Sequence, residues 1–231
     1  AAGGRRVGVE PFRAAVRAVR AWARARRLDA QAWGFPGGLA WSVVVAWGLS
    51  DADPADGPER LLAHVFARAA AHPWPAPVTV AEHAWSPGRH DLAPILTPAA
   101  PVTNAWRTAT PSTRDAVAAE LARAADLAAR VLAGDATWHD LAQAPSPGAA
   151  HEQVLVVEPA VDDPAGRGAL EGEALRLVLA LEAVPGVRHV RPYAVRGETP
   201  VFVGLDLAPG TDAAAVARAA LPRAARWNVD G

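Results

Sequence analysis

Apolar residues at Phe12, Val16, Val19 and Ala23 recur at steps of four, three and four through PFRAAVRAVRAWARARR, the spacing of one face of an α-helix. With Pro11 suited to a first helical position, this pattern predicts a helix over about 11–27. Pro36, Gly37 and Gly38 then break the period. The run LAWSVVVAWGL behind them is apolar on nearly every side, which predicts a second, buried helix over roughly 38–49. DADPADGPE reads as a loop with a helix starting after Pro58. From Ala71 to Pro111 prolines and tryptophans are scattered without period, the mark of irregular chain packed by its aromatics. Thr110 and Pro111 next open a long helix with Val117, Leu121, Ala124, Ala128 and Val131 along one face and Gly134 past its end.

QAPSPGAA, residues 143–150, is a proline, glycine and serine cluster, and the period changes after it. EQVLVVE, GVRHVRPYAV and TPVFVGLDL read as strands. GALEGEALRLVLALEAV reads as a helix, and TDAAAVARAALPRAAR as a last one capped by Thr211. The expected fold class is therefore a mainly α domain over 1–148, a helical bundle with irregular Pro/Trp-rich chain. A small α+β domain with a ferredoxin-like β-α-β-β-α order is expected over 149–231.

Composition narrows the classes. At 231 residues, half of them apolar and a fifth charged, the chain is a folded globular one with room for two ordinary domains. It has no cysteine, so a disulfide framework, a thiolate nucleophile and a thiolate metal site are excluded, and a cytoplasmic setting is expected. It also has no methionine, so a chain opening AAGGRRVGVE is expected to be a fragment or a processed product. The apolar run at 39–49 is shorter than the roughly 20 residues a bilayer span needs, so no membrane partner is expected. The net charge of −1 hides a gradient. Arginines crowd the start of the chain against only Glu10 and Asp29, whereas the stretch from His151 onward is acidic.

Two features have chemical content. Arg13, Arg17, Arg20, Arg24 and Arg27 step by four, three, four and three, which places them in one helical stripe opposite the apolar face. No acidic partner is expected inside the predicted helix, so the stripe is either a solvated face or a phosphate-contacting one, guanidinium being a bidentate phosphate ligand. The glycines of GFPGG stand at the start of the next helix, where unpaired backbone N–H groups and the helix dipole attract anions. The same residues also suit a tight turn between helices, and they fit neither the dinucleotide fingerprint nor the P-loop. No histidine pair has zinc spacing and no G-x-S-x-G elbow occurs.

The run FRAAVRAVRAWARARRLDAQAWGFPGGLAWS resembles the middle domain of eukaryotic-type poly(A) polymerases, where a basic helix with a tryptophan leads into a G-F-x-G-G turn. HPWPAPV, DLAPILTPAAPVTN, TPSTRDAVAAEL and ATWHDLAQAP continue the likeness in order. The β-α-β-β-α end stands where that family has its RNA-recognition-like (RRM-like) domain. The resemblance implies that Gly37, Gly38 and Leu39 border an adenine-nucleotide pocket, with Arg20 where a lysine meets the triphosphate. Asp29 and Gln31 replace a tyrosine and an asparagine among the family's nucleotide contacts. Gln31 is thereby a nucleotide-site candidate, and Asp29 a group that repels phosphate. Arg13, Arg17, Arg24 and Arg27 are the candidates for RNA phosphate.

In that family ATP and Mg²⁺ are the cofactors, and G-S followed by D-x-D supplies the metal carboxylates from a preceding nucleotidyltransferase domain. No G-S dipeptide occurs in this chain, so it is not expected to catalyse the reaction as given. With only His189, Tyr193 and Phe202 as sheet aromatics and an acidic balance, the last domain is expected to bind RNA weakly alone. The leading expectation is the middle and C-terminal portion of a bacterial poly(A)-polymerase-like nucleotidyltransferase, with RNA and an N-terminal nucleotidyltransferase or other RNA-processing domain as partners. The alternatives are a non-catalytic RNA or nucleotide adaptor, and an interaction protein whose stripe docks an acidic domain.

Overall fold

The computed structural model of the chain describes residues 6–224 except His83 and Ala160, with side chains described as far as residue 219. Four principal helices come first: α1 (Val9–Ala25), α2 (Gly38–Gly48), α3 (Pro58–Ala70) and α4 (Pro111–Ala133). Short helices α5 (Trp138–Ala142) and α6 (Pro147–Ala150) lead to β1 (Gln153–Val157), α7 (Pro164–Glu182), β2 (Val187–Tyr193), β3 (Val201–Leu207) and α8 (Ala213–Ala224). A helical domain followed by a small α+β one is thus the fold. Among the described residues no helix is long and apolar enough to cross a membrane.

Helix α2 is the centre of the helical part, and its composition explains why. Ala40, Trp41, Val43, Val44 and Val45 are all buried, so the helix has no solvent stripe to offer and neighbours must surround it. Trp22 of α1 meets Trp41 edge-on at 5.6 Å and Phe66 of α3 at 5.0 Å. The Trp41 indole donates to the Leu28 carbonyl at 3.1 Å, and the Trp106 indole to the Gly34 carbonyl at 2.8 Å. Trp41 and Trp106 thereby bury apolar area without orphaning their N–H groups, whereas the buried Trp22 indole N–H has no partner among the described residues. The irregular stretch between α3 and α4 folds back on this core through Trp106, Ala93 and Ile95, all fully or almost fully buried.

The strands form one antiparallel sheet in the order β1-β3-β2. Registers Leu155 with Val203 and Val190 with Leu205 put these residues on the inner face. That face shares one core with Leu170, Ala174, Leu177, Val178 and Leu181 of α7 and Val216 of α8.

Three helix starts differ from the sequence reading, and α1 stops at Ala25, two residues short of the expected end. α1 begins at Val9 with Gly8 as its N-cap, so Pro11 is its third residue, a position whose N–H has no partner within the helix in any case. α7 begins four residues before the predicted start, because Asp163 caps it by accepting from Gly166 N–H at 2.7 Å and Pro164 takes the first position. The cap of α8 is Asp212, which accepts from Ala214 N–H at 2.9 Å; Thr211 instead reaches back to the Gly186 carbonyl.

Contacts across the 143–150 stretch hold the sheet against α4. The start of α4 carries the expected Thr110 cap, reinforced by Thr113. Glu182, the last residue of α7, accepts from the Thr110 hydroxyl at 2.7 Å and from Ser112 N–H at 3.0 Å. The Ser112 hydroxyl in turn accepts from Val190 N–H of β2 at 3.1 Å.

Candidate functional site

The end of α1 shapes the site. Leu28 N–H reaches the Ala23 carbonyl at 2.7 Å while Arg27 takes a left-handed conformation (φ 61°), the backbone turn that commonly stops a helix. The chain then doubles back through a single 3₁₀ turn, Gln31–Trp33, and through Gly34 (φ 92°) into α2. This fold-back encloses a cavity of about 540 Å³. Arg20 and Arg24 line it from α1, Asp29 and Gln31 from the connecting turn, and Gly37 and Gly38 from the head of α2. Its opposite wall comes from the sheet part: Glu171 of α7, and Val195 and Arg196 after β2.

Both glycines are there because something lies on them. A Cβ at Gly38 would stand 3.1 Å from Arg20 Nη2 and 3.2 Å from Cζ, so the guanidinium lies against bare backbone. A Cβ at Gly37 would stand 3.1 Å from Gln31 Oε1. No side chain caps α2, which leaves the partial positive charge of its first N–H groups at the cavity wall. Arg20, Arg24 and Arg196 make no ion pair among the described residues. Burial pushes the Asp29 carboxyl above its ordinary pKa, against the pull of Arg24, Arg20 and Arg27.

Of the candidates named from the sequence, Arg20, Gln31, Gly37, Gly38 and Arg24 meet at this cavity. Leu39 adjoins them but is 55% exposed and outside the lining. Arg17 is exposed one turn earlier. The stripe was expected to lack acidic partners, and the structure corrects this. Because α1 starts at Val9, it includes Glu10, which pairs with Arg13 at 2.8 Å. Arg27, past the helix end, pairs with Glu198 at 3.3 Å.

The sequence reading missed Arg196 and Glu171, which the fold brings from more than a hundred residues away and which no local pattern marks. It also missed Arg26. Its guanidinium grips Glu120 of α4 with Nε at 2.9 Å and Nη2 at 2.7 Å, and also donates to the Gln143 carbonyl. Arg191 of β2 reaches the same carboxylate at 2.7 Å and Arg123 at 3.1 Å. Burial alone would raise the pKa of Glu120, but the hydrogen bonds from Arg26 and Arg191 outweigh it and bring it down to about 2. One signal was available: Glu120 stands three residues after Val117 and four before Ala124, inside the apolar face of α4.

The outer face of the sheet is closed at its middle. His151 lies over Gly204, where any Cβ would overlap the imidazole ring, with Nδ1 2.7 Å from Asp206 and Nε2 2.8 Å from the Tyr193 hydroxyl. Tyr193 is buried and His189 half-buried. Of the three expected stacking residues, Phe202 alone is exposed, at 39%.

Comparison with known proteins gives this arrangement a family. The family model described as the poly(A) polymerase central domain matches residues 11–144. Poly(A) polymerase PAPalpha of Candida albicans is 30% identical over 200 residues, covering 79% of this chain and 36% of that protein. A poly(A) polymerase of Dictyostelium discoideum is 28% identical over 141 residues, 56% of this chain and 17% of its own length. Poly(A) polymerase pla1 of Schizosaccharomyces pombe is 27% identical over 199 residues, covering 79% of this chain and 35% of that protein. The chain thus spans about a third, or less, of these relatives. With more than half of its residues matched by the central-domain model, the chain belongs to the poly(A) polymerase family.

Proposed function

We propose that the cavity between α1, α2 and the sheet part takes the polyphosphate of ATP. In this reading the chain is the nucleotide- and RNA-contacting portion of a bacterial poly(A)-polymerase-like nucleotidyltransferase that extends RNA 3′ ends in the cytoplasm. The carrying observation is that Arg20 and Arg24, neither with an ion-pair partner among the described residues, share a 540 Å³ cavity with the uncapped head of α2. Guanidinium groups and helix-terminal N–H groups both favour phosphate. Gly37 and Gly38 keep that wall free of side chains. The absence of lysine and the weight of alanine and arginine are the composition of a GC-rich genome.

This lining suits phosphates and does not suit Mg²⁺. Its two carboxylates are Asp29, half-buried beside arginines with its pKa raised by burial, and Glu171, whose Oε1 accepts from Gly197 N–H at 3.0 Å. The metal would arrive with the nucleotide and be held by the carboxylates of a nucleotidyltransferase domain. RNA would follow the basic side of α1 past Arg17, since His151 covers the middle of the outer sheet face.

Titration calorimetry with Mg·ATP tests the reading. Wild-type chain takes up ATP, and Arg20→Ala weakens it by roughly ten- to a hundredfold, the loss of one charge-assisted contact worth about 1.5–3 kcal/mol. Absence of ATP uptake sinks it. The two carboxylates in the lining favour a second reading, a non-catalytic adaptor that binds RNA with a steep salt dependence and ignores ATP.

A further inference from the structure

The sheet part adds a cation to the cavity that neither the sequence pattern nor the family likeness pointed to. Arg196 belongs to the β2–β3 loop, residues 194–200, and this loop is pinned on several sides. Glu198 N–H donates to the Val195 carbonyl at 3.0 Å, closing a turn in which Gly197 has φ 75°. Gly197 N–H is held by Glu171, the Glu198 carboxylate by Arg27, and the Thr199 hydroxyl donates to Asp162 at 3.2 Å. Every polar side chain that flanks Arg196 in the loop therefore has a partner, while Arg196 itself, exposed and without an ion pair among the described residues, lines the same cavity as Arg20 and Arg24.

Three guanidinium charges around one cavity face only Asp29 and Glu171 in its lining, and Glu171 is engaged by the loop backbone. Like charges gathered at the rim of one cavity repel one another, and an anion between them reverses the sign of the interaction. We infer that Arg196 is a third polyphosphate-contacting residue, and that a bound polyphosphate adds a further tie between the already anchored β2–β3 loop and α1, clamping the sheet part onto the helical part. The inference rests on the reading of the cavity as a polyphosphate site and adds to it a contact from the far wall.

The test uses inorganic tripolyphosphate, which has neither base nor sugar, titrated into the chain at several salt concentrations. Amide exchange is followed over residues 194–200. Arg196→Ala is expected to weaken binding about tenfold or more and to lower the salt slope by about one, as Arg20→Ala does. Arg196→Lys, which keeps the charge, restores most of the slope. Tripolyphosphate slows exchange in the loop of the wild type. Arg130→Ala, an exposed arginine in the last turn of α4 and outside the cavity, leaves affinity unchanged. If Arg20→Ala weakens binding and Arg196→Ala does not, or the loop's exchange is unaffected, the clamp is overturned and the polyphosphate reading survives. If Arg130→Ala weakens binding as much as Arg196→Ala, binding is diffuse attraction to surface arginines and the clamp fails. If wild-type chain does not bind tripolyphosphate, both readings fall together.

Discussion

Arg26 and Glu120 are 94 residues apart in sequence and joined by two parallel hydrogen bonds in the interior, with Arg191 of β2 on the same carboxylate. One carboxylate thus gathers the end of α1, the middle of α4 and the sheet. Glu120→Ala leaves the nearly buried Arg26 and Arg191 without their counter-charge, and a loss of about 3–5 kcal/mol is expected in equilibrium urea unfolding. A loss within 1 kcal/mol would mean that water takes over the role of Glu120.

The same residue sets an acid limit. Its folded pKa, about 2, lies below the ordinary 4.5, so the stability it confers is fully present above pH 4.5 and is lost as pH falls toward 2. The shift corresponds to roughly 3 kcal/mol. Urea midpoints measured from pH 6 to pH 2 should fall more gently for Glu120→Gln than for the wild type, from a lower start. Parallel curves would contradict the assignment.

Gly38→Ala separates binding from folding. Gly38 is the first residue of α2 and alanine suits a helix, so the melting temperature should hold or rise slightly. The new methyl group would stand 3.1–3.3 Å from the Arg20 guanidinium and push it off the wall, so polyphosphate affinity should drop several-fold. Gly34→Ala is its opposite. With φ 92° and the Thr113 side chain 3.0 Å from a new Cβ, about 1–3 kcal/mol of stability should be lost.

Asp29 should make affinity depend on pH. Its pKa is raised in the fold, so lowering pH neutralises it earlier than an ordinary aspartate and removes a charge that opposes phosphate. Wild-type affinity for tripolyphosphate should rise relative to Asp29→Asn as pH falls and Asp29 takes up its proton, at a higher pH than an ordinary aspartate would, the ligand's own titration being common to both. At neutral pH Asp29→Asn should bind several-fold tighter. Equal affinities throughout would show that Asp29 does not face the ligand.

Gly204→Ala should drive His151 off the sheet, breaking its bonds to Asp206 and Tyr193. A loss of about 1–3 kcal/mol is expected, much of it absent when His151 is already alanine, a coupling that a double-mutant cycle reads directly.

The helices were legible because each depends on local spacing: Thr110, Pro111 and Gly134 bracket α4 as their residue types require. The ends that shifted are those where a short polar side chain competes with a neighbour, as Asp212 does with Thr211, or where Pro164 and Gly166 disguised the first turn of α7. At the site, Arg20, Arg24, Gln31 and the two glycines lie within twenty residues of chain and were read together. Arg196 was not, because its place depends on which sheet loop packs near α1, a tertiary choice that no period in either segment encodes. Arg13 and Arg27 shared the stripe's spacing yet found carboxylates, since spacing fixes a face and not its neighbours.

The Glu182 carboxylate at the head of α4 limits how this protein can be recombined with its relatives. A chimaera spliced in the proline-rich seam at 143–150 would pair one parent's Thr110 and Ser112 with another's α7. The graft would be sound only where the incoming chain delivers an acceptor to the same spot, so exchange of the C-terminal portion favours donors that carry that carboxylate.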